Sequence, residues 1–198
     1  MQHDNGLGWT FDTAAENYDR YRPGYPEELY KAVFGYIPVD ERSRALEIGI
    51  GTGQATAPVL RRGCAVTAVE CGENLVQKCR EKFGGCKGFE IISGRFEDAG
   101  LPEGVYDLVY SATAFHWIPE DVGYPKVYSL LRSGGAFARF AVRPCIAEDN
   151  ATLAESIESL YARYYYPFHK REPLKPEPFT EQQAAELAAV AGRYGFTA

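Results

Sequence analysis

No apolar stretch of this chain is long enough to span a bilayer. Its first ten residues, Met1 to Thr10, are polar and glycine-bearing, so neither a transmembrane helix nor a secretory signal is supported. The cysteines offer no covalent framework. They are five, an odd number, with no Cys-x-x-Cys spacing, and Cys64, Cys71, Cys79 and Cys86 fall within successive helix and strand patterns. Such thiols serve as small apolar residues in a reduced compartment, and a cytoplasmic location is expected. The three histidines, His3, His116 and His169, are too scattered for a zinc motif, so no metal is expected. Positive charge is equally thin. The densest basic run is Lys170-Arg171 and the formal charge is -6, which excludes general binding to nucleic acid or to an anionic membrane. Internal repeats and low-complexity blocks are absent too.

What is present is an ordinary globular composition, 45% hydrophobic and 24% charged, in 198 residues, enough for one domain. Strand and helix patterns alternate along it. Leu29, Tyr30, Val33, Phe34 and Ile37 have helical spacing, and Pro38 ends that run. Ala45 to Ile48 is an apolar run broken by Glu47 that enters a glycine-rich turn, with a helix expected from near Gln54. Ala65 to Val69 reads as a strand ending on Glu70, followed by a helical face of Leu75, Val76, Cys79 and Phe83. Phe89 to Ile92 and Tyr106 to Tyr110 are two more strands. Asp121 to Leu131 is helical, and Ser133-Gly134-Gly135 turns it into a fifth strand, Ala136 to Val142. Strands this continuously apolar imply a mainly parallel, doubly wound α/β sheet of Rossmann type with helices on both faces. Ligands bind such sheets at the carboxyl ends of the strands.

After Val142 the pattern changes. Leu153, Ile157, Leu160, Tyr161 and Tyr164 form a tyrosine-rich helical face. Tyr166 to Pro178 carries four prolines and reads as an extended loop. Thr180 with Gln183 makes a capping-box start for a last helix through Tyr194.

The chemistry concentrates in Leu46-Glu47-Ile48-Gly49-Ile50-Gly51-Thr52-Gly53, at a strand end that opens a helix. Glycines there let a ligand approach the backbone. A Gly-x-Gly alone is a weak signal, and a plain strand–helix turn competes with it. Three features move the balance. Glu47 stands two residues before the first glycine, a costly place for an acid unless it bonds local groups or a ligand. Glu70 ends the next strand, where a carboxylate can accept both hydroxyls of a ribose. The dinucleotide fingerprint requires a glycine where this chain has Gln54, which disfavours a nicotinamide or flavin oxidoreductase.

Residues 9 to about 142 resemble the class I S-adenosylmethionine-dependent methyltransferases, within their small-molecule group. The resemblance rests on the glycine motif and Glu70, then on Gly94-Arg95-Phe96-Glu97-Asp98. It continues through Tyr106 to Trp117 and through Leu131-Arg132-Ser133-Gly134-Gly135. It implies a single domain: an N-terminal cap and cofactor-carboxylate segment over residues 1–42, a cofactor core over 43–145, an acceptor-side lid over 146–179, and over 180–198 the last helix with the start of a strand.

The same resemblance implies residue roles. Gly49, Gly51 and Gly53 would pass the backbone close to the methionine part of S-adenosyl-L-methionine. Glu47 would steady that loop or the amino group, and Glu70 would hold the ribose. Phe96 would lie at the adenine with its backbone amide near the ring, and Glu97 or Asp98, Glu97 in preference, would take the exocyclic amine, although Arg95 departs from the small or acidic residue many relatives carry. Ser111 would sit beside the sulfonium. In the opening segment Phe11 to Pro26, Arg22 would grip the cofactor carboxylate and Tyr18 would pack on the methionine side. A polar surface loop is the competing reading there.

His116 and Trp117 follow a strand at its carboxyl end, where an acceptor would enter. His116 is the candidate base or orienter, and Trp117 a pocket wall. Tyr161 and Tyr165 would complete the acceptor pocket from the lid. The expected partner is a small-molecule methyl acceptor. A non-catalytic module keeping the cofactor fold is the alternative.

Sheets of this family close with an antiparallel pair after the last helix, of which Phe196-Thr197-Ala198 would be only the start. The natural gene product is therefore expected to continue by roughly 40–60 residues, enough for two strands and their connection. If residue 198 is its end, a homodimer is expected to bury the fifth strand's edge. Intact mass of the natural protein tests the first, and light scattering the second.

Overall fold

Apolar residues fill Ala65–Val69 except at Thr67 and run nearly as continuously through the flanking strands, too continuous for a sheet with one wet face. A computed structural model of the chain, which describes residues 8–142, 150–169 and 179–197, sets these strands side by side. The strands are β1 (Arg44–Ile48), β2 (Ala65–Glu70), β3 (Phe89–Ser93), β4 (Tyr106–Ala112) and β5 (Leu131–Phe140). Their order is β3-β2-β1-β4-β5, with every neighbouring pair parallel. The chain winds outward through β2 and β3, then returns to the other side of β1 for β4 and β5. The switch point lies between β1 and β4, where such sheets open a crevice at their carboxyl ends.

The helices are α1 (Gly8–Thr13), α2 (Ala15–Tyr21), α3 (Glu27–Tyr36), α4 (Thr56–Leu60), α5 (Glu73–Phe83), α6 (Glu120–Leu130), α7 (Ala151–Leu160), α8 (Tyr166–His169) and α9 (Glu181–Gly192). One face of the sheet packs Ala45, Val66 and Leu108 against Ile37, Val39 and Val59, under α3 and α4. The other packs Leu46, Ile48 and Val109 against Phe115, Tyr124, Val127 and Leu130, under α6.

Several expected boundaries move. The helix expected from Gln54 starts at Thr56 and is one short piece, because Gly51 and Gly53 hold positive φ in the turn before it. The fifth strand begins earlier and ends earlier than expected. Tyr106 pairs with Leu131 and Leu108 with Ala136, so Arg132 to Gly135 bulge out of the ladder around Gly134, whose φ is +74°. The Tyr166 end of the expected loop is helical: α7 continues through a π-turn at Tyr161–Tyr165 into α8. The rest of that loop, beyond His169, lies outside the described residues, as do residues 146–149 of the lid segment.

At the other end Thr180 and Gln183 form the capping box as expected. The strand start expected near Phe196 is not formed. Gly195 turns with φ +92°, and Phe196 lies on the rings of Tyr124, Tyr128 and Phe137, while Tyr194 stacks on Tyr124. These rings gain more by burying themselves on the α6 face than as an unpaired strand.

The N-terminal segment is fixed to this frame by one buried acid. Gly72, which precedes α5, has no side chain to cap it. Asp12 of α1 supplies the missing acceptor across 62 residues of sequence, taking the amides of Asn74 (2.8 Å) and Leu75 (3.2 Å) and the Asn74 side chain. Removing a cap acceptor costs about 0.5–2 kcal/mol. Asp12→Ala is expected to lower stability by about that amount, read as a lower urea midpoint at unchanged slope.

Candidate active site

Gly49, Gly51 and Gly53 all take positive φ, at +69°, +60° and +84°. At two of them space forbids a side chain as well. A Cβ on Gly49 would run into the Ala114 methyl, and one on Gly53 into the Phe83 ring. The backbone therefore crests bare over the ends of β1 and β4.

Glu70 holds the crest in place. Its Oε2 accepts the Gly51 amide at 2.9 Å, and its Oε1 accepts the amides of Cys71 (2.9 Å) and Gly72 (3.0 Å). Below the crest lies Glu47, with 1% of its surface exposed. Thr56 and Tyr110 both donate to its Oε2, each at 2.7 Å. Its Oε1, also buried, has no hydrogen-bond partner among the described residues. Desolvation pushes the carboxyl up to about 7, against the two hydroxyl bonds that favour the charge.

Tyr18 and Arg22 arrive from the N-terminal segment. The Tyr18 ring stands over Gly51, and the Arg22 guanidinium sits 5.5 Å from the centre of that ring. Burial raises the Tyr18 phenol, and nearby Glu70 adds to the rise. Together with Tyr25, Glu47, Gly49, Gln54 and Ala112 they enclose a cavity of about 10 Å³. That is room for about one water.

Several expected site residues have other partners in the structure. The Phe96 ring is 4% exposed and packs in the core with Leu46, Ile48 and Val69, so its backbone alone can face the crevice. Glu97 lies beside it, but its Oε1 already accepts Arg95 Nη2 at 2.8 Å. The Ser111 hydroxyl, fully buried, donates to the Ile48 carbonyl at 2.9 Å and stitches β4 to β1. Tyr161 and Tyr165 are exposed and pack on one another and on Tyr166. The π-turn spends these rings on each other, and they are not brought to the crevice.

His116 and Trp117 are brought there, on the 3-10 turn Phe115–Trp117 directly after β4. Their rings lie 4.8 Å apart. Partial burial holds the His116 imidazole below its usual pKa, and the positive charge of Arg139 lowers it further. The imidazole is thus biased towards its neutral, proton-accepting form near pH 7.

Two neighbours escape the sequence reading. Thr113 holds φ +58°, a strained setting for a β-branched residue, and its hydroxyl bonds Tyr25 Oη at 2.7 Å. No sequence signal marks it. Arg139 does have one: it is the lone charge inside the apolar run of the fifth strand.

A parallel sheet wound in this order, with a bare glycine crest at its switch point and an acid ending the second strand, defines a nucleoside-cofactor fold of methyltransferase type. Residues 46–138 match the family described as methyltransferase domain. An uncharacterized methyltransferase of Geobacillus thermodenitrificans is 32% identical over 94% of this chain and 87% of its own length. Among solved structures, a SAM-dependent methyltransferase from Aquifex aeolicus aligns over 84% of this chain and 78% of its own, at 15% identity and a TM-score of 0.59. A phosphoethanolamine N-methyltransferase of Haemonchus contortus, in complex with phosphomonomethylethanolamine and S-adenosylhomocysteine, aligns over 99% of this chain and 44% of its own, at 19% identity and a TM-score of 0.64. The chain belongs to the class I S-adenosylmethionine-dependent methyltransferases.

The buried acid makes a measurable signature. Glu47 titrates near 4.5 when unfolded and about 7 when folded, so between those values the folded state binds the extra proton. Stability contributed by this group is lost as pH rises through that window, by up to about 3 kcal/mol. Glu47→Gln is expected to flatten this slope in urea unfolding followed from about pH 4.5 to 7.

Proposed function

We propose that this chain binds S-adenosylmethionine across the glycine crest and transfers its methyl group to a small-molecule acceptor by in-line displacement. The observation that carries the reading is the orphaned Glu47 Oε1 beside a crest that excludes Cβ atoms. A buried carboxylate oxygen without a donor suits a cationic amino group, and a bare backbone suits a ligand lying directly on it. Both fit the methionine end of the cofactor. Arg22, which lines the same cavity, is read as the partner of the cofactor carboxylate, and Glu70, at the crest, as that of the ribose hydroxyls. The demethylated cofactor and small acceptor in the Haemonchus neighbour are in keeping with this reading.

The cofactor supplies an activated methyl on a sulfonium. With the cofactor bound, an acceptor lone pair would bond to that carbon as the carbon–sulfur bond broke, the electron pair leaving with sulfur as a neutral thioether. The protein's share is alignment and exclusion of water. The glycine crest and Glu47 fix one reactant, and the turn carrying His116 and Trp117 faces the other. His116, biased to its neutral form, takes the acceptor's proton where the acceptor has one to lose.

Glu70→Ala removes the ribose acceptor. The expected loss is about 1.5–3 kcal/mol, or roughly 10- to 150-fold in the Kd for S-adenosylmethionine by calorimetry. An unchanged Kd would end the ribose assignment. His116→Ala is expected to lower kcat on an identified acceptor more than it weakens the cofactor. Full turnover in that variant would retire His116 as a base. A screen of carboxylates, phenols and amines with labelled cofactor supplies the acceptor.

A further inference from the structure

Arg139 stands on β5 opposite Ser111 of β4, one residue from the strand's carboxyl end. It is half-buried, and its side chain lies on the face shared with Phe115 and Tyr124. One guanidinium nitrogen donates to Tyr124 Oη at 3.0 Å, and the group sits 5.4 Å from the centre of the Phe115 ring. Among the described residues no carboxylate pairs with it. A guanidinium offers five N–H donors, and this one bond leaves most of them without an acceptor among the described residues. Partly desolvating a cation this way is unfavourable unless something negative completes it.

Its setting is not that of a surface arginine. Tyr124 is 2% exposed and stacks on Tyr194, so the phenol that holds the guanidinium is itself immobile. Phe115 is equally buried and fixes the other side. A preset planar fork results, the geometry that matches a carboxylate or a phosphate. The fork shares the carboxyl ends of β4 and β5 with His116, whose imidazole feels its charge.

We propose that Arg139 reads an oxyanionic group, a carboxylate or a phosphate, on the methyl acceptor. The inference rests on the methyltransferase reading of the same crevice. A guanidinium clamped on an oxyanion ties up that group's lone pairs, which makes it a handle and not the atom methylated. The acceptor therefore carries two functions: an anionic handle on Arg139, and a nucleophile presented between His116 and the cofactor methyl. Arg139 is a specificity residue and takes no part in the bond changes.

His116 reports on the fork without any turnover. Its imidazole is titrated by NMR in the full chain saturated with S-adenosylhomocysteine, at constant ionic strength set with chloride. The probes are malonate, inorganic phosphate and neutral malonamide. An anion seated on Arg139 offsets the charge that lowers His116, so the titration midpoint moves upward by up to about one pH unit. Movement with malonate alone assigns a carboxylate handle, and movement with phosphate alone a phosphate. Malonamide is expected to move nothing.

In Arg139→Gln the starting midpoint is expected to rise and the response to anions to vanish. No movement in the native chain, or equal movement in Arg139→Gln, overturns the proposal. If that variant does not fold, the native-chain titration still decides, because a fork that binds no anion leaves His116 unmoved. Calorimetry of S-adenosylhomocysteine on the same samples separates this failure from failure of the cofactor site. A chain that binds no S-adenosylhomocysteine defeats the methyltransferase reading itself.

Discussion

Three backbone amides converge on the carboxylate of Glu70, and the carboxyl end of the sheet takes its shape from that convergence. Two of them, Cys71 and Gly72, belong to the turn that follows β2, while the third, Gly51, belongs to the crest that follows β1. One side chain thus ties two crossover connections together at the point where they rise from the sheet. Hydrogen bonds to a charged acceptor are the stronger kind, worth about 1.5–3 kcal/mol each. A carboxylate has roughly four lone-pair positions, and the backbone takes three. On the proposed reading, ribose hydroxyls arriving there would share an oxygen with the Gly51 amide, which would couple occupancy of Glu70 to the conformation of the crest.

Glu47 is the complementary constraint. Glu70 is an acid satisfied by amides; Glu47 is an acid satisfied on one oxygen and left bare on the other. Burying it raises its pKa to about 7 and costs stability whenever it ionises. Thr56 and Tyr110 keep that cost bounded by bonding one oxygen and fixing where the other sits. A site that destabilises the fold by itself and is completed by a cation is the form expected of a preorganised ligand pocket.

Much of the fold and the crest can be read from the sequence because both depend on local pattern. Continuous apolar runs mark parallel strands, and the glycines with Glu47 and Glu70 mark the loop that needs bare backbone. What sequence cannot carry is which way a side chain is spent. Ser111 stands near the expected strand end, yet its hydroxyl closes a bond to Ile48. Tyr161 and Tyr165 fail for a related reason: helical spacing shows which residues share a face, not what that face meets. Arg139 went unassigned because a charge in a strand gains meaning only once its neighbours, Tyr124 and Phe115, are seen to hold it.

The N-terminal segment shows how such a site admits a ligand. It is held down in two places: at Asp12, which caps α5, and at Asp19, whose carboxylate meets Lys82 at 2.6 Å. Lys82 also bonds the Thr52 carbonyl on the crest itself. Lighter attachments lie beside and beyond Asp19, namely the Tyr18 ring over Gly51 and the Tyr25 hydroxyl on Thr113. The cavity of about 10 Å³ beneath them is far smaller than a cofactor requires. A ligand of that size asks the stretch after Asp19, which carries Arg22 and Tyr25, to give way, since Asp12 and Asp19 hold the residues before it. The buried cap at Asp12 thus fixes the N-terminal side of the segment, while Arg22 and Tyr25 lie beyond it, at the cavity itself.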